Sequence, residues 1–313
     1  MLLLVAVISV ITATMLERLT LATRLAANAG TLDQARAYAM AAEQVASVRI
    51  ADLRAADATR TTLRGNWQGT PQTLPVGGAT VVARVTDGGN CFNLNSLVAG
   101  DDASGMAVRL VGVAQFVGLM QALDINGGVA TNIANAAADW IDTDAIPLPG
   151  GAEDTTYLAA PVPYRTPNRM MTDPSELRVV AGMTSQIYAR LRPWICALPI
   201  SDPSPINVNT LPPERAPLLA MLIPGRLSVG AARGLIAQRP ADGYESAATF
   251  WAQPALGGLV PDGEARDQIR VMTRWFRVNI AVTVGSTDMN EVALFDADAS
   301  PARLIRRQWG EDS

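Results

Sequence analysis

Residues 1–16, MLLLVAVISVITATML, carry no charged side chain and are dominated by Leu, Val, Ile and Ala. Glu17 ends the run, yet nothing there breaks a helix. From Met1 to Ala58 there is no proline, and Gly30 is the only glycine. Beyond Glu17, the apolar positions Leu25, Leu32, Ala35, Ala39, Ala42, Ala46, Ile50 and Leu53 recur at steps of three, four or seven. That spacing writes one narrow helical stripe. A helix of this length reaches roughly 80 Å, well beyond the ordinary globular helix. A wholly apolar start followed by a one-sided remainder describes a stalk, with one end in lipid and the other packed on a domain. The apolar run is short against the roughly 20 residues that span a bilayer. No positively charged region precedes it and no small-residue cleavage site follows, so it does not read as a removable signal peptide.

Downstream, Gly65 to Gly78 is rich in turn formers, including Pro71, Pro75, Gly77 and Gly78. Ala79 to Val85 then alternates like a strand, and Asp87-Gly88-Gly89-Asn90 reads as a turn. Helical signals follow over Ala107 to Leu123, Ala130 to Ile141, Ser175 to Val180 and Thr184 to Leu191. A Pro-rich connector from Pro199 to Pro205 leads to a second helical group between Pro212 and Trp251. Strand composition returns at Trp275 to Val284, Glu291 to Phe295 and Leu304 to Trp309. Late strands that pair with the early one make the helical block an insertion in an α+β domain.

Composition narrows the function. The chain has no His, and all 25 of its basic residues are Arg, so Lys is absent too. This removes the commonest general base, the commonest metal ligand and any Schiff-base amine. Triad hydrolases, His-ligated zinc enzymes and P-loop NTPases are argued against together. A net charge of −4 gives no nucleic-acid footprint and no polybasic membrane patch. The reading is an assembly part, not an enzyme.

Acidic residues crowd one stretch: Asp139, Asp142 and Asp144 in DWIDTD, Glu153 and Asp154 in GGAED, then Asp173 and Glu176 in TDPSEL. Three readings stand side by side. They are solvated loops and helix caps, a Ca²⁺ site built from flexible oxygen ligands without EF-hand spacing, and a paired-carboxylate hydrolase. Cys91 and Cys196 are either two separate buried thiols or one disulfide, and a disulfide requires an oxidising compartment. Ile206-Asn207-Val208-Asn209-Thr210 and the helices after it have the outline of a helix-hairpin-helix module, with Pro224-Gly225 as the turn. Only Arg226, Arg233 and Arg239 lie near that turn, so a packing module is favoured over a DNA-binding one. An envelope DNA-binding protein is the alternative function.

Taken together, several blocks resemble the type II secretion system protein K family. They are CFNLNSL at Cys91 to Leu97, ADWIDTD at Ala138 to Asp144 and GAEDTTYL at Gly151 to Leu158. PYRTPNRMMTDPSELRVVAGM at Pro163 to Met183, LRPWICALP at Leu191 to Pro199 and INVNT at Ile206 to Thr210 complete the set. The likeness covers essentially the whole chain, and the blocks in this order are highly specific, although INVNT alone is weak.

The resemblance implies a pilin-like α+β fold: a long N-terminal helix on a small antiparallel sheet, with a large inserted α-helical domain of two SAM-like parts. The expected segments are a transmembrane and stalk helix over 1–65, a first β part over 66–95, a first SAM-like domain with the acidic region over 96–204, a second over 205–270, and terminal strands over 271–313. It further implies a minor pseudopilin at the tip of the pseudopilus, partnered by pseudopilins I and J and in reach of other pseudopilins and the inner-membrane platform. The expected location is the inner membrane, single-pass, with the body in the periplasm. Ca²⁺ is the implied ion, with Asp142, Asp144, Glu153, Asp154, Asp173 and Glu176 as candidate ligands. Cys91 and Cys196 are expected to be bonded.

Two departures bear on the stalk. Family precursors carry a short basic leader ending in Gly, and none precedes Met1; aligned hydrophobic runs place a few further residues ahead of it. Most pilins have a Glu near the fifth mature position, which the protein K family dispenses with, and no acid occurs here before Glu17. The remaining expectation is that small residues along the stripe admit neighbouring pseudopilin helices, with Leu25 and Leu32 on the free half and the later half on the protein's own sheet.

Overall fold

The computed structural model describes residues 1–101, 103–259, 261 and 263–310. Helix α1 runs Leu2–Ala56 without interruption, so residues 57–65 of the expected stalk lie past its end. Residues 1–30 are exposed throughout. Their apolar start forms a helix long and apolar enough to cross a membrane, with none of that stretch buried in the protein.

The chain divides into two compact units, the first made of Met1–Leu53, Trp67–Thr86 and the described residues 275–310. Its sheet contains β1 (Gln72–Val76), β2 (Ala79–Asp87), β3 (Trp275–Val284), β4 (Thr287–Asp296) and β5 (Arg303–Trp309), in that spatial order. The pairs β1/β2, β3/β4 and β4/β5 are antiparallel. In β3, Phe276, Val278, Ile280, Val282 and Val284 alternate inward, the two-residue period of a half-buried strand. Gly285, at φ 58°, supplies the left-handed position of the tight β3–β4 turn. β1 carries Pro75, which an edge strand tolerates because its outer N–H has no ladder partner. Proline and glycine signals around it hid this strand in the sequence.

The core of this unit is α1 against the sheet. Ala35, Ala39, Ala42, Ala46 and Ile50 pack with Val81, Val278, Ile280, Ala293 and Phe295. The small residues therefore bring α1 close to its own sheet. They do not admit a neighbour there, and Leu32 also leans on this core. Leu25, Val45 and Val48 remain exposed.

The second unit, Arg54–Asn66 with Asp87–Arg274, is inserted in sequence between β2 and β3. This is the expected α+β plan of long helix, antiparallel sheet and inserted helical domain. Its main helices are α2 (Leu110–Ala122) and α3 (Gly127–Asp139), followed by the short helices α4 (Asp154–Leu158) and α5 (Ser185–Leu191). Apolar residues from both sides of the 204/205 boundary, including Phe116, Leu119, Leu218 and Phe250, belong to one continuous cluster.

Deleting residues 1–24 is expected to leave a soluble folded body, because the first buried side chain is Ala35. Circular dichroism and thermal melting check this: the truncated and full chains should unfold within a few degrees of each other. An aggregated or unfolded truncation contradicts it.

Candidate metal centre

The base of the inserted unit is fixed by the asparagines of CFNLNSL. Cys91 and Cys196 are disulfide-bonded, with Cα atoms 5.8 Å apart, an ordinary separation for such a bridge. Beside it, Phe92–Asn93 pairs in parallel with Ile195–Cys196. The Asn93 Oδ1 accepts from the Leu198 amide at 2.9 Å, and its Nδ2 donates to the Ile200 carbonyl. Asn95 donates to the Met171 and Leu198 carbonyls and accepts from the Met171 amide. Buried side-chain amides matched on both faces hold distant segments in one register.

On that base, α3 ends at Asp139 and presents the DWIDTD block. Asp139 is fully buried and accepts from the backbone amides of Leu148 and Ala152. The loop between them must come very close, because a Cβ on Gly151 would lie 2.0 Å from Asp139 Oδ2. Gly150 adopts φ 75°, a conformation that suits glycine. Two adjacent glycines thus let the chain fold around Asp139 and carry Glu153 back toward α3. Thr143 ties the other side down: its amide donates to the Met106 carbonyl, and its Oγ1 accepts from the Met106 amide.

The outcome is a group of three acids, Asp142, Asp144 and Glu153, each offering an oxygen within 4.8 Å of the others. Asp142 and Glu153 are buried and Asp144 is exposed. Among the described residues, Asp142 Oδ1 and Glu153 Oε1 are buried with no hydrogen-bond partner. Burial, then the negative fields of Asp144, Asp139 and Glu153, push the Asp142 carboxyl up to about 7. Burial is also the main cause of the upward shifts at Asp139 and Glu153. Crowded carboxylates with orphaned oxygens are costly without a positive charge among them. An all-oxygen donor set with no His or Cys fits a hard cation of the Ca²⁺ type.

The other three candidates are placed elsewhere by their own bonds. Asp154 opens α4, pairs with Arg165 and accepts from the Thr166 amide. Asp173 and Glu176 form a reciprocal capping box around Pro174–Val179. Their carboxylates satisfy backbone donors at a helix start, so the helix-cap reading describes them. Asp139 belongs to the acidic stretch read in the sequence, and the structure gives it the task of holding the return loop, which sequence reading did not assign to it. Its position three residues before Asp142 and its GG-containing return loop were the available signal.

Beside the acids, Trp140 packs edge-on to Tyr157, with centroids 5.3 Å apart, and Tyr157 contacts Tyr164. The Tyr164 hydroxyl donates to the Val179 carbonyl, and the Tyr157 hydroxyl accepts from the Ala181 amide. These rings wall the site; they do not form an open sugar platform.

The helix-hairpin-helix outline resolves into packing. Ile206 through Thr210 are all buried. Asn207 donates to the Thr61 carbonyl and Thr273 Oγ1, while Asn209 exchanges hydrogen bonds with the Tyr244 backbone. Thr210 donates to Asp87 Oδ2 at 2.6 Å. Arg226 is engaged with the Gly258 carbonyl, and Arg239 with those of Val208 and Leu211. Two of the three arginines near the turn are thus spent inside the unit, while Arg233 is exposed.

Two family profiles described as type II secretion system protein K match this chain, over residues 90–200 and 206–272. The type II secretion system protein K of Pectobacterium carotovorum subsp. carotovorum is 36% identical over 282 residues, covering 88% of this chain and 84% of the relative. That of Klebsiella pneumoniae is 35% identical over 285 residues, covering 90% and 86%. In solved structures, a chain of the GspK-GspI-GspJ complex from the enterotoxigenic Escherichia coli type 2 secretion system superposes with a TM-score of 0.77. It is 30% identical, and the match covers 89% of this chain and 96% of that one. The inserted unit, its motif blocks and the helix–sheet unit around it thus have counterparts in one set of relatives, and the chain belongs to the type II secretion system protein K family.

Proposed function

We propose that this chain is the tip subunit of the type II secretion pseudopilus, where it joins pseudopilins I and J, starts filament assembly and supports export of folded proteins across the outer membrane. The observation that carries this reading is the likeness to a chain of a GspK-GspI-GspJ complex over nearly the whole length of both proteins. The apolar start of α1 anchors the chain once in the inner membrane and leaves both units in the periplasm, an oxidising compartment suited to the disulfide. Other pseudopilins and the inner-membrane platform meet it through α1. Its role is structural, with no reaction of its own. Co-expression with pseudopilins I and J should yield a ternary complex after purification; recovery of I and J together without this chain contradicts the proposal.

The acid group is proposed as a structural Ca²⁺ site held by Asp142, Asp144 and Glu153. Bound Ca²⁺ would neutralise their charge and fix the loop returning from α3. An ion bound only by the native state raises stability by RT ln(1 + [L]/Kd), about 2.7 kcal/mol at a hundredfold excess over Kd. The melting temperature should rise with millimolar calcium and fall with chelator, and the double variant Asp142→Ala, Glu153→Ala should lose that response. A melting temperature indifferent to calcium contradicts the assignment.

A further inference from the structure

In the first unit, two carboxyl groups share the buried helix–sheet interface with one guanidinium. Glu43 comes from α1, Glu291 from β4 and Arg307 from β5. Glu43 and Glu291 are each 1% exposed. Arg307 spends its fork on Glu43: Nε donates to Oε1 at 2.6 Å, and a second nitrogen donates to Oε2. That bidentate pair is the strong form of the contact. Glu291 Oε1 lies 3.8 Å from Arg307 Nε, beyond hydrogen-bond reach. Among the described residues, neither oxygen of Glu291 accepts a hydrogen bond.

Among the described residues, Arg307 is the cation that acts on Glu291. Across β3 its register partner is Ile280, and across β5 it is Trp309. Met289 and Ala293 flank it along β4 and are buried. On α1, the buried face beside Glu43 carries Ala39, Ala42, Ala46 and Ser47, and the Ser47 hydroxyl donates to the Ala302 carbonyl. Asp296 and Arg303 are register partners farther along the β4–β5 pair. An ionised Glu291 would leave two negative charges against one positive charge in a desolvated layer. That arrangement is expensive.

We infer that Glu291 is held as a neutral acid that donates its proton to the Glu43 carboxylate, and that losing this proton is a built-in switch that loosens α1 from the sheet. Glu291 is buried, so a proton is the simplest ligand that balances it. The direction of the effect follows from linkage. Burial and the Glu43 carboxylate push Glu291 up to about 8, from an ordinary value of 4.5. Between those limits the unfolded chain has released the proton while the folded chain retains it. Stability from this site therefore declines as pH rises through that window and is level above it.

The test uses the full chain in detergent, as wild type, Glu291→Gln and Glu43→Gln. Glu291→Gln keeps a donor for Glu43 and cannot ionise. Hydrogen exchange of the α1 amides from Ala39 to Ile50, corrected for intrinsic rates, gives the readout. The protection ratio of Glu291→Gln to wild type should grow by up to about tenfold per pH unit between roughly 5 and 8, then level off. Glu43→Gln frees Arg307 to pair with Glu291, and its protection should lose the same pH dependence. The infrared carbonyl stretch of a neutral carboxylic acid should be present in wild type at pH 7 and reduced in Glu291→Gln. A pH-independent ratio, a Glu43→Gln variant that keeps the wild-type slope, or no band lost in Glu291→Gln overturns the inference.

Discussion

Replacing Cys91 and Cys196 together with alanine is expected to cost the inserted unit about 4.7 kcal/mol, the chain-entropy value for a loop of this size. The two residues are 105 apart in sequence, so the bridge removes a large freedom from the unfolded chain. Its native geometry adds a second reason. The bond staples the parallel pair Phe92–Asn93 with Ile195–Cys196, where Asn93 and Asn95 gather the amides and carbonyls of Met171, Leu198 and Ile200. A two-residue pairing has little stability of its own. Against an ordinary total of roughly 5–15 kcal/mol, the loss brings the unit near its limit. Denaturant unfolding of the full chain, oxidised and reduced and with the double variant, measures it. An unchanged midpoint contradicts the account. The apolar cluster on either side of the bridge should remain collapsed in the variant, so partial order there is no objection.

Much of this fold was legible because its signals are local. The proline-free run from Met1 and the alternation of Trp275 to Val284 each report a backbone period, and both elements stand where expected. What escaped depends on tertiary partners. The hairpin Val98–Asp101 with Gly105–Val108 precedes α2 where composition alone suggested more helix. The stripe of alanines announced close helix packing but could not name the partner, which is the protein's own sheet. At the acidic stretch, the family resemblance implied six ligand candidates and structure unites three of them. Asp173 and Glu176 carry an S/T/D-x-x-E capping signature that also looks like a ligand pair when read for charge alone. Glu291 looked like an ordinary strand residue. Its meaning rests on Glu43 and Arg307, both far away in sequence.

The second large effect is expected on assembly. Of the two positions first marked for neighbour contact, Leu32 is partly buried against the sheet core, whereas Leu25 is 60% exposed. Val48, 54% exposed, lies on α1 alongside buried Ser47 and away from the core alanines. Exposed apolar side chains on a long helix are expected where another helix covers them. The double variant Leu25→Glu, Val48→Glu should leave melting within about 1 kcal/mol of wild type, as surface changes do. Two desolvated, unpaired carboxylates in a helix–helix seam should nevertheless cost at least 3 kcal/mol of association, a hundredfold or more in Kd. Reconstitution with pseudopilins I and J, followed by titration, reads this. Unchanged affinity for the variant places the contact on another surface.

The central claim, that this chain caps the filament, is tested most directly by where it sits. Pseudopili sheared from cells carrying an epitope-tagged chain, complementing for secretion, can be labelled with gold and imaged. The account predicts label at one end of each filament and loss of filaments when the chain is deleted. Label distributed along the shaft would contradict it.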